Sequence, residues 1–197
     1  MTGDAREPGY FDALYAADAD PWRFETSAYE AGKYADTLAA LPQQSYAAGV
    51  EFGCSIGVPI EHLAGRADTM LGIDLAQAAL ERAAARCAAL PHVHFARMRI
   101  LDSMPEQIFD LIVLSEVLYY FEAQMLARLA DRLRDLAAPD ADLILVHWLG
   151  PTPDYPLTGD AAVVNFLAAT AGWTQITRQE RRLDYRLDVL RAAAAPQ

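Results

Sequence analysis

The sequence predicts an α/β fold: a Rossmann-like, doubly wound sheet of seven mostly parallel strands, helices on both faces, and a C-terminal antiparallel hairpin. Three observations carry this reading. Apolar runs alternate with helical patterns along nearly the whole chain, the signature of strands joined by crossover helices. The run from Phe109 to Ser115 is almost continuously apolar, as a strand covered on both faces requires. Near the C-terminus the period changes to two. Leu183, Tyr185, Leu187 and Val189 then share one face while Arg182, Asp184, Arg186 and Asp188 share the other, which predicts an antiparallel pair at a sheet edge.

Taken in order, a helix is expected over 27–41, ending near Pro42, and a first strand over 46–52. That strand runs into a glycine turn at 53–57 and a helix near 58–65. A second strand over 69–73 is closed by Asp74, and an alanine-rich helix over 76–90 is stopped by Pro91. Strands follow over 93–98 and 109–115, then a helix over 123–137 ending before Pro139, and a fifth strand over 143–148. After a Gly/Pro/Asp loop at 150–159 comes a helix to about 171, and the final pair of strands covers 173–179 and 183–190. Residues 1–42 read as an N-terminal segment and helix, with 1–26 a candidate mobile lid, and 43–197 as one globular domain.

Composition narrows the function classes. A chain of 197 residues with 53% hydrophobic side chains is long enough and apolar enough for a full core and is not a disordered segment. The net charge is -11, and Lys33 is the only lysine, with the arginines scattered. Such a surface repels phosphate backbones and anionic lipid, which argues against nucleic acid or a membrane as partner. No apolar run approaches the ~20 residues of a membrane span, and residues 1–8 are polar without a signal-peptide core. Two cysteines, Cys54 and Cys87, are too few for a disulfide framework and point to a reduced, cytoplasmic setting. His62, His92, His94 and His147 are not joined to cysteines or acids at ligand spacing, so no metal is expected.

The chemistry concentrates after the first strand, in Val50-Glu51-Phe52-Gly53-Cys54-Ser55-Ile56-Gly57. In a doubly wound sheet, ligands bind at the carboxyl ends of the central strands. Gly53 and Gly57 allow a tight turn and close approach of backbone to ligand, and Cys54 and Ser55 lie between them. Some twenty residues on, Asp74, followed by Leu75, is placed to accept hydrogen bonds from both hydroxyls of a ribose. A dinucleotide and S-adenosylmethionine both suit this pattern, but a dinucleotide needs G-x-G-x-x-G. Read from Gly53, its second and third glycines are replaced by Ser55 and Val58. Glu51 opposes a pyrophosphate and suits the amino and sulfonium groups of S-adenosylmethionine, which is therefore the expected cofactor.

On these residues the chain resembles the class I S-adenosylmethionine-dependent methyltransferases, and within them the nodulation protein S (NodS)-like group. The narrower resemblance rests on Asp20-Pro21-Trp22-Arg23 ahead of a helix bearing Tyr29 and Lys33, on the Glu51–Gly57 loop, and on the stretch from Phe109 to Tyr120 that contains Ser115-Glu116-Val117-Leu118-Tyr119-Tyr120. It implies N-methylation of an amine, with the free amine of a deacetylated chitooligosaccharide as the group's acceptor. It also implies a flap in which Arg23 binds the cofactor carboxylate and Trp22 covers the sulfonium. The family's acidic adenine ligand after the third strand is missing. Here the chain reads Met98-Arg99-Ile100-Leu101-Asp102, so that Asp102 reaches back or Met98 and Ile100 pack on the base, with Arg99 as a further contact.

Methyl transfer to an amine requires alignment, exclusion of water and an unprotonated nucleophile. Candidates at the ends of the fourth and fifth strands are Ser115 beside the cofactor, Glu116, Tyr119 and Tyr120 at the acceptor, and His147, followed by Trp148, as the base. Methylation of oxygen or carbon in a small metabolite, and a non-catalytic cofactor-binding module, are the alternatives.

Overall fold

The computed structural model describes residues 8–194, so residues 1–7 of the expected lid lie outside the described residues. Among the described residues seven strands form one sheet: β1 (Tyr46–Phe52), β2 (Ala67–Asp74), β3 (Val93–Arg97), β4 (Phe109–Ser115), β5 (Ala137–Trp148), β6 (Thr174–Arg181) and β7 (Tyr185–Ala192). Their order is β3-β2-β1-β4-β5-β7-β6, parallel throughout except that β7 runs antiparallel to both neighbours. The helices are α1 (Pro8–Ala17), α2 (Ala28–Ala40), α3 (Val58–Leu63), α4 (Gln77–Arg86), α5 (Ala123–Leu136) and α6 (Gly159–Thr170). The strand order reverses between β1 and β4, which opens a crevice at their carboxyl ends.

Alternation along the central strands divides the core in two. Val50, Phe52, Ile112 and Leu114 pack on one face with Leu126, Leu129 and Leu133 of α5. Leu111, Val113, Ile144 and Val146 pack on the other with Ile60 and Leu63 of α3. Each such fully buried side chain contributes about 1.5–3 kcal/mol. The leucines of α5 recur every three or four residues, so one stripe of that helix meets the sheet. Ser27 caps α2, its hydroxyl accepting from the Glu30 N–H, and Thr158 caps α6 in the same way.

Three expectations need correction. The helix expected over 76–90 ends at Arg86, because residues 87–90 close a turn in which the Leu90 N–H bonds the Cys87 carbonyl. Pro139 lies within β5 rather than before it. The β4–β5 register shifts between Phe109 and Leu111, and this bulge accommodates both the proline and Asp140 in the left-handed region (φ 59°). The C-terminal antiparallel pair does end the sheet as expected, with β7 lying between β5 and the edge strand β6, but the face expected to be solvated is not. Its polar residues Arg186 and Asp188 are buried, and Arg186 forms a two-pronged ion pair with Asp188 while its Nη1 reaches Asp160. Leu183, placed by periodicity on the apolar face, falls in the turn and is 93% exposed.

Candidate active site

A cavity of about 690 Å³ opens where the carboxyl ends of β1, β2 and β4 meet α1, α2 and the loops after β3 and β5. One end is built by the loop after β1. The Gly53 and Cys54 N–H groups both donate to the Ile73 carbonyl, which bends the chain sharply across the end of β2. Gly53 has φ +79°, and a Cβ there would meet the Val117 side chain at 3.4 Å, so this is a position that glycine fills without strain. Asp74 closes the same corner. Its Oδ2 accepts from the Ser55 N–H and its Oδ1 from the Ala76 N–H, both at 2.9 Å. Each carboxylate oxygen keeps a spare lone pair. Desolvation pushes the Asp74 carboxyl up, and the backbone N–H bonds oppose the shift.

The N-terminal elements lie over this corner. The Tyr15 hydroxyl of α1 bonds Ser55 Oγ, and Trp22 meets Tyr15 edge-on with ring centroids 5.7 Å apart. Tyr15, Trp22 and Phe24 thus form an aromatic wall above Asp74, and Met98, Ile100 and Leu101 form an apolar wall after β3.

The other end is aromatic and charged. Lys33 of α2 is 2% exposed. Its ammonium lies 2.7 Å from Glu116 Oε1 and 2.9 Å from Glu30 Oε2. The second oxygen of Glu116 accepts from the Trp148 N–H at 2.9 Å. Lys33 and these bonds hold the Glu116 carboxyl below the usual range although desolvation opposes it. Around this carboxylate stand Tyr29, Tyr119 and Tyr120, with Tyr155 stacked on Tyr119 at an interplanar angle of 3°. Desolvation pushes all three of the phenols nearest Glu116, those of Tyr29, Tyr119 and Tyr120, well above their ordinary value, and the Glu116 charge adds to the shift. Ser55, Leu101 and Glu116 are non-glycine residues in the left-handed region, and all three line the cavity. Such backbone strain concentrates where side chains are held for function.

Of the residues singled out in the sequence, Trp22, Gly53, Ser55, Asp74 and Leu75 line the cavity at the first end. Met98 and Arg99 line it after β3, and Glu116 and Tyr119 line it at the second end. Arg99 is exposed and pairs with Asp102 at 3.3 Å. The remaining candidates lie elsewhere. Arg23 is exposed in a tight turn (φ 58°), where its N–H bonds the Asp20 carbonyl, and it does not border the cavity. Cys54 is fully buried, and Gly57 packs against α4, where a Cβ would lie 2.8 Å from that of Ala83.

Glu51 is the main electrostatic correction. Strand alternation turns it away from the crevice, into a small separate space with Tyr34, Thr37, His62 and Ser115. Among the described residues neither of its carboxyl oxygens has a hydrogen-bond partner, and burial, with the Asp74 charge adding, pushes its pKa up to about 8. Glu51 is therefore mostly neutral at pH 7 and is not a carboxylate facing a cation. Ser115 borders the same small space.

His147 is the second correction. It is fully buried outside the cavity, and its Nε2 accepts from the Val117 and Leu118 N–H groups at 3.4 and 3.1 Å. Burial pulls its pKa down to about 4, with Lys33 and Arg186 adding and the charges of Glu116 and Asp188 opposing. A neutral imidazole sealed in this way orients the turn after β4 and does not reach an acceptor.

Sequence reasoning missed the pairing of Lys33 with Glu116 and the bond from Tyr15 to Ser55, contacts that span 83 and 40 residues. A signal for the first was present. The only lysine of the chain stands on a helix between Tyr29, Tyr34 and Thr37, a setting in which a charge needs a partner.

Comparison with known proteins fits this geometry. The sequence profile of the family Nodulation protein S (NodS) matches residues 13–147. Nodulation protein S of Bradyrhizobium diazoefficiens is 35% identical over 127 residues, covering 64% of this chain and 61% of the relative. That of Sinorhizobium fredii is 31% identical over 130 residues, covering 65% and 60%. The matched part thus spans about three fifths of the length of these curated relatives. A crystal structure from Pseudomonas syringae, described as a candidate methyltransferase, superposes with a TM-score of 0.73 at 34% identity, covering 84% of this chain and 99% of that one. The N-methyltransferase NodS of Bradyrhizobium japonicum WM9, in complex with S-adenosylhomocysteine, shares the fold with a TM-score of 0.81 at 23% identity over 94% and 98% of the two chains. With the family profile matched over more than half its length, the chain belongs to the nodulation protein S family.

Proposed function

We propose that this protein is an S-adenosylmethionine-dependent N-methyltransferase whose acceptor is the free amine of an amino sugar, as in a deacetylated chitooligosaccharide. The observation that carries the reading is one continuous cavity that joins the Gly53–Asp74 corner to the Glu116–tyrosine end. Family membership and the N-methyltransferase NodS fold support it.

The residues present fit the cofactor. Asp74 has unused acceptor capacity for neighbouring hydroxyls, and Gly53 leaves the approach to the backbone open at a φ of +79° that a larger residue would adopt only under strain. A volume of about 690 Å³ falls within the ~300–1,000 Å³ of small-molecule sites. When bound, S-adenosylmethionine supplies an electrophilic methyl group with its own leaving group. Asp74 and the Gly53 loop would hold its sugar and amino-acid parts. Met98 and Ile100 would pack on adenine, and Tyr15, Trp22 and Phe24 would exclude water as a lid.

The acceptor end favours nitrogen. No histidine borders the cavity among the described residues. Its phenols near Glu116 are shifted up and Glu116 itself down, so none of these groups is poised to take a proton from a hydroxyl at neutral pH. An amine needs only to arrive unprotonated, and the positive charge that it acquires is stabilised by the Glu116 carboxylate. Tyr119, Tyr120 and Tyr155 present ring faces and hydroxyls suited to a sugar. Two buried free thiols and the acidic surface support action in a reducing cytoplasm, without nucleic acid or a membrane as partner. Among the described residues no helix is long and apolar enough to cross a membrane.

The test is calorimetry with S-adenosylhomocysteine, followed by methyl transfer to amino sugars, phenols and carboxylates. Binding and exclusive methylation of amines are expected. Absence of binding removes the cofactor, and an exclusive oxygen acceptor removes the amine.

A further inference from the structure

We propose that Lys33 is a positioning residue of the acceptor site, fixing the Glu116 carboxylate at the cavity wall where the amine is received. This rests on the N-methyltransferase reading and goes beyond it by assigning the group that sets acceptor affinity.

Glu116 sits in a costly conformation. Its backbone has φ 53°, a region that a residue with a Cβ rarely occupies, and its N–H is tied to the Val146 carbonyl at 2.9 Å. Two contacts then pin the side chain: the Trp148 N–H on one oxygen and the Lys33 ammonium on the other. The first belongs to β5, beside β4 in the sheet, but the second comes from α2, an element outside the sheet and 83 residues earlier in the chain.

Lys33 is held as firmly as the group that it holds. Its ammonium is shared between Glu116 and Glu30, and it lies 5.3 Å from the centroid of the Tyr29 ring. A compact ammonium with three donors can serve two carboxylates and a ring face together. A planar guanidinium distributes its donors differently. The chain uses arginine at every other strongly basic position, so the single lysine stands where that difference matters. One cation between two carboxylates leaves the cluster with a net negative charge, and the aromatic faces of Tyr29 and Tyr119 border it. This is the field that attracts a cationic or polarised amine and repels a carboxylate or phosphate.

The groups that face Glu116 are Lys33, Glu30 and Tyr29 from α2, Tyr119 and Tyr120 from the turn after β4, and His147 from β5. Only Lys33 among them is a fixed cation. With Lys33 removed, the Trp148 N–H still favours the Glu116 carboxylate but the fixed charge that offsets desolvation is gone, so the carboxyl becomes easier to protonate. The carboxylate is then present at high pH and lost as pH falls.

The experiment compares wild type, Lys33→Met and Lys33→Arg as full-length chains. S-adenosylhomocysteine affinity is read by calorimetry, and kcat and KM for a deacetylated chitooligosaccharide are measured between pH 6 and 8.5. For Lys33→Met, kcat/KM for the acceptor should fall about 10- to 100-fold, the range for a misplaced reacting geometry. The loss should deepen toward acid relative to wild type, while S-adenosylhomocysteine still binds. Lys33→Arg keeps the fixed cation and should remove the pH-dependence of the ratio, but it should recover only part of kcat/KM because a guanidinium places its donors differently. A Lys33→Met enzyme with acceptor kcat/KM within twofold of wild type, or with a loss independent of pH, overturns the proposal. If Lys33→Met does not fold, the wild type decides. Lysine-specific 15N labelling gives one side-chain signal, which should be protected from exchange and should shift when the oligosaccharide is added. A freely exchanging or unmoved signal overturns the proposal. Wild type that binds no S-adenosylhomocysteine, or methylates no amine, refutes the functional reading instead.

Discussion

The substitution Glu51→Gln tests the correction that the structure makes to the loop after β1. Glu51 is fully buried with both carboxyl oxygens unpartnered among the described residues, and its pKa is raised from 4.5 to about 8. A carboxyl with this shift binds its proton more tightly in the folded than in the unfolded chain. Below about pH 4.5 both states are protonated and the group is neutral toward stability. As pH rises toward 8 the unfolded chain ionises while the folded chain cannot, and stability falls by about 1.4 kcal/mol per pH unit. At pH 7 the accumulated cost is about 3 kcal/mol, by the same conversion of the shift into free energy. Glutamine keeps the shape and the buried polar atoms but cannot ionise. Glu51→Gln should therefore stabilise the protein by up to about 3 kcal/mol at pH 7, a rise of about 6–12 °C in Tm for a chain of this size. The gain should shrink by about 1.4 kcal/mol for each pH unit below that. Urea unfolding of both proteins at pH 5.5, 6.5 and 7.5 gives the three differences. A gain that does not change with pH, or a loss of stability, refutes the burial of an unpaired carboxyl at this position.

Two further outcomes follow from particular contacts. Asp74→Asn places an amide NH₂ against the Ser55 or Ala76 N–H and removes the charge; S-adenosylhomocysteine binding measured by calorimetry should weaken about 10- to 100-fold, the equivalent of about 1.5–3 kcal/mol. Asp188→Ala strips the buried Arg186 of its two-pronged partner and should cost about 3–5 kcal/mol in urea unfolding, whereas replacing both residues by apolar side chains should recover most of it.

Much of the fold can be read locally. Strands β1 and β4 fall where the apolar runs place them, at 46–52 and 109–115, because a strand covered on both faces leaves an unbroken apolar segment. The Gly53 turn and Asp74 are legible for a related reason: a strand ending in glycine, and an acid ending the next strand, occupy fixed places in a doubly wound sheet. The length of α4 was not legible, because alanines continue past Arg86 with good helix propensity and only the turn at 87–90 stops it. Nor was the burial of Arg186 and Asp188, since a polar face of a strand is read as solvated until its charges are seen to neutralise each other.

The amino-acid sequence by itself determined which segments become strands and helices, where the chain bends after the first strand, and which family the loop and the Phe109–Tyr120 stretch resemble. These follow from periodicity and local sterics, which act over a few residues. Tertiary structure alone decided which way each charged side chain faces and what meets it. It turned Glu51 under α2, sealed His147 behind the turn after β4, and brought Lys33 against Glu116. The physical reason is that a charge acts through distance and desolvation in space. Residues 83 positions apart become partners only after the sheet has placed them in contact.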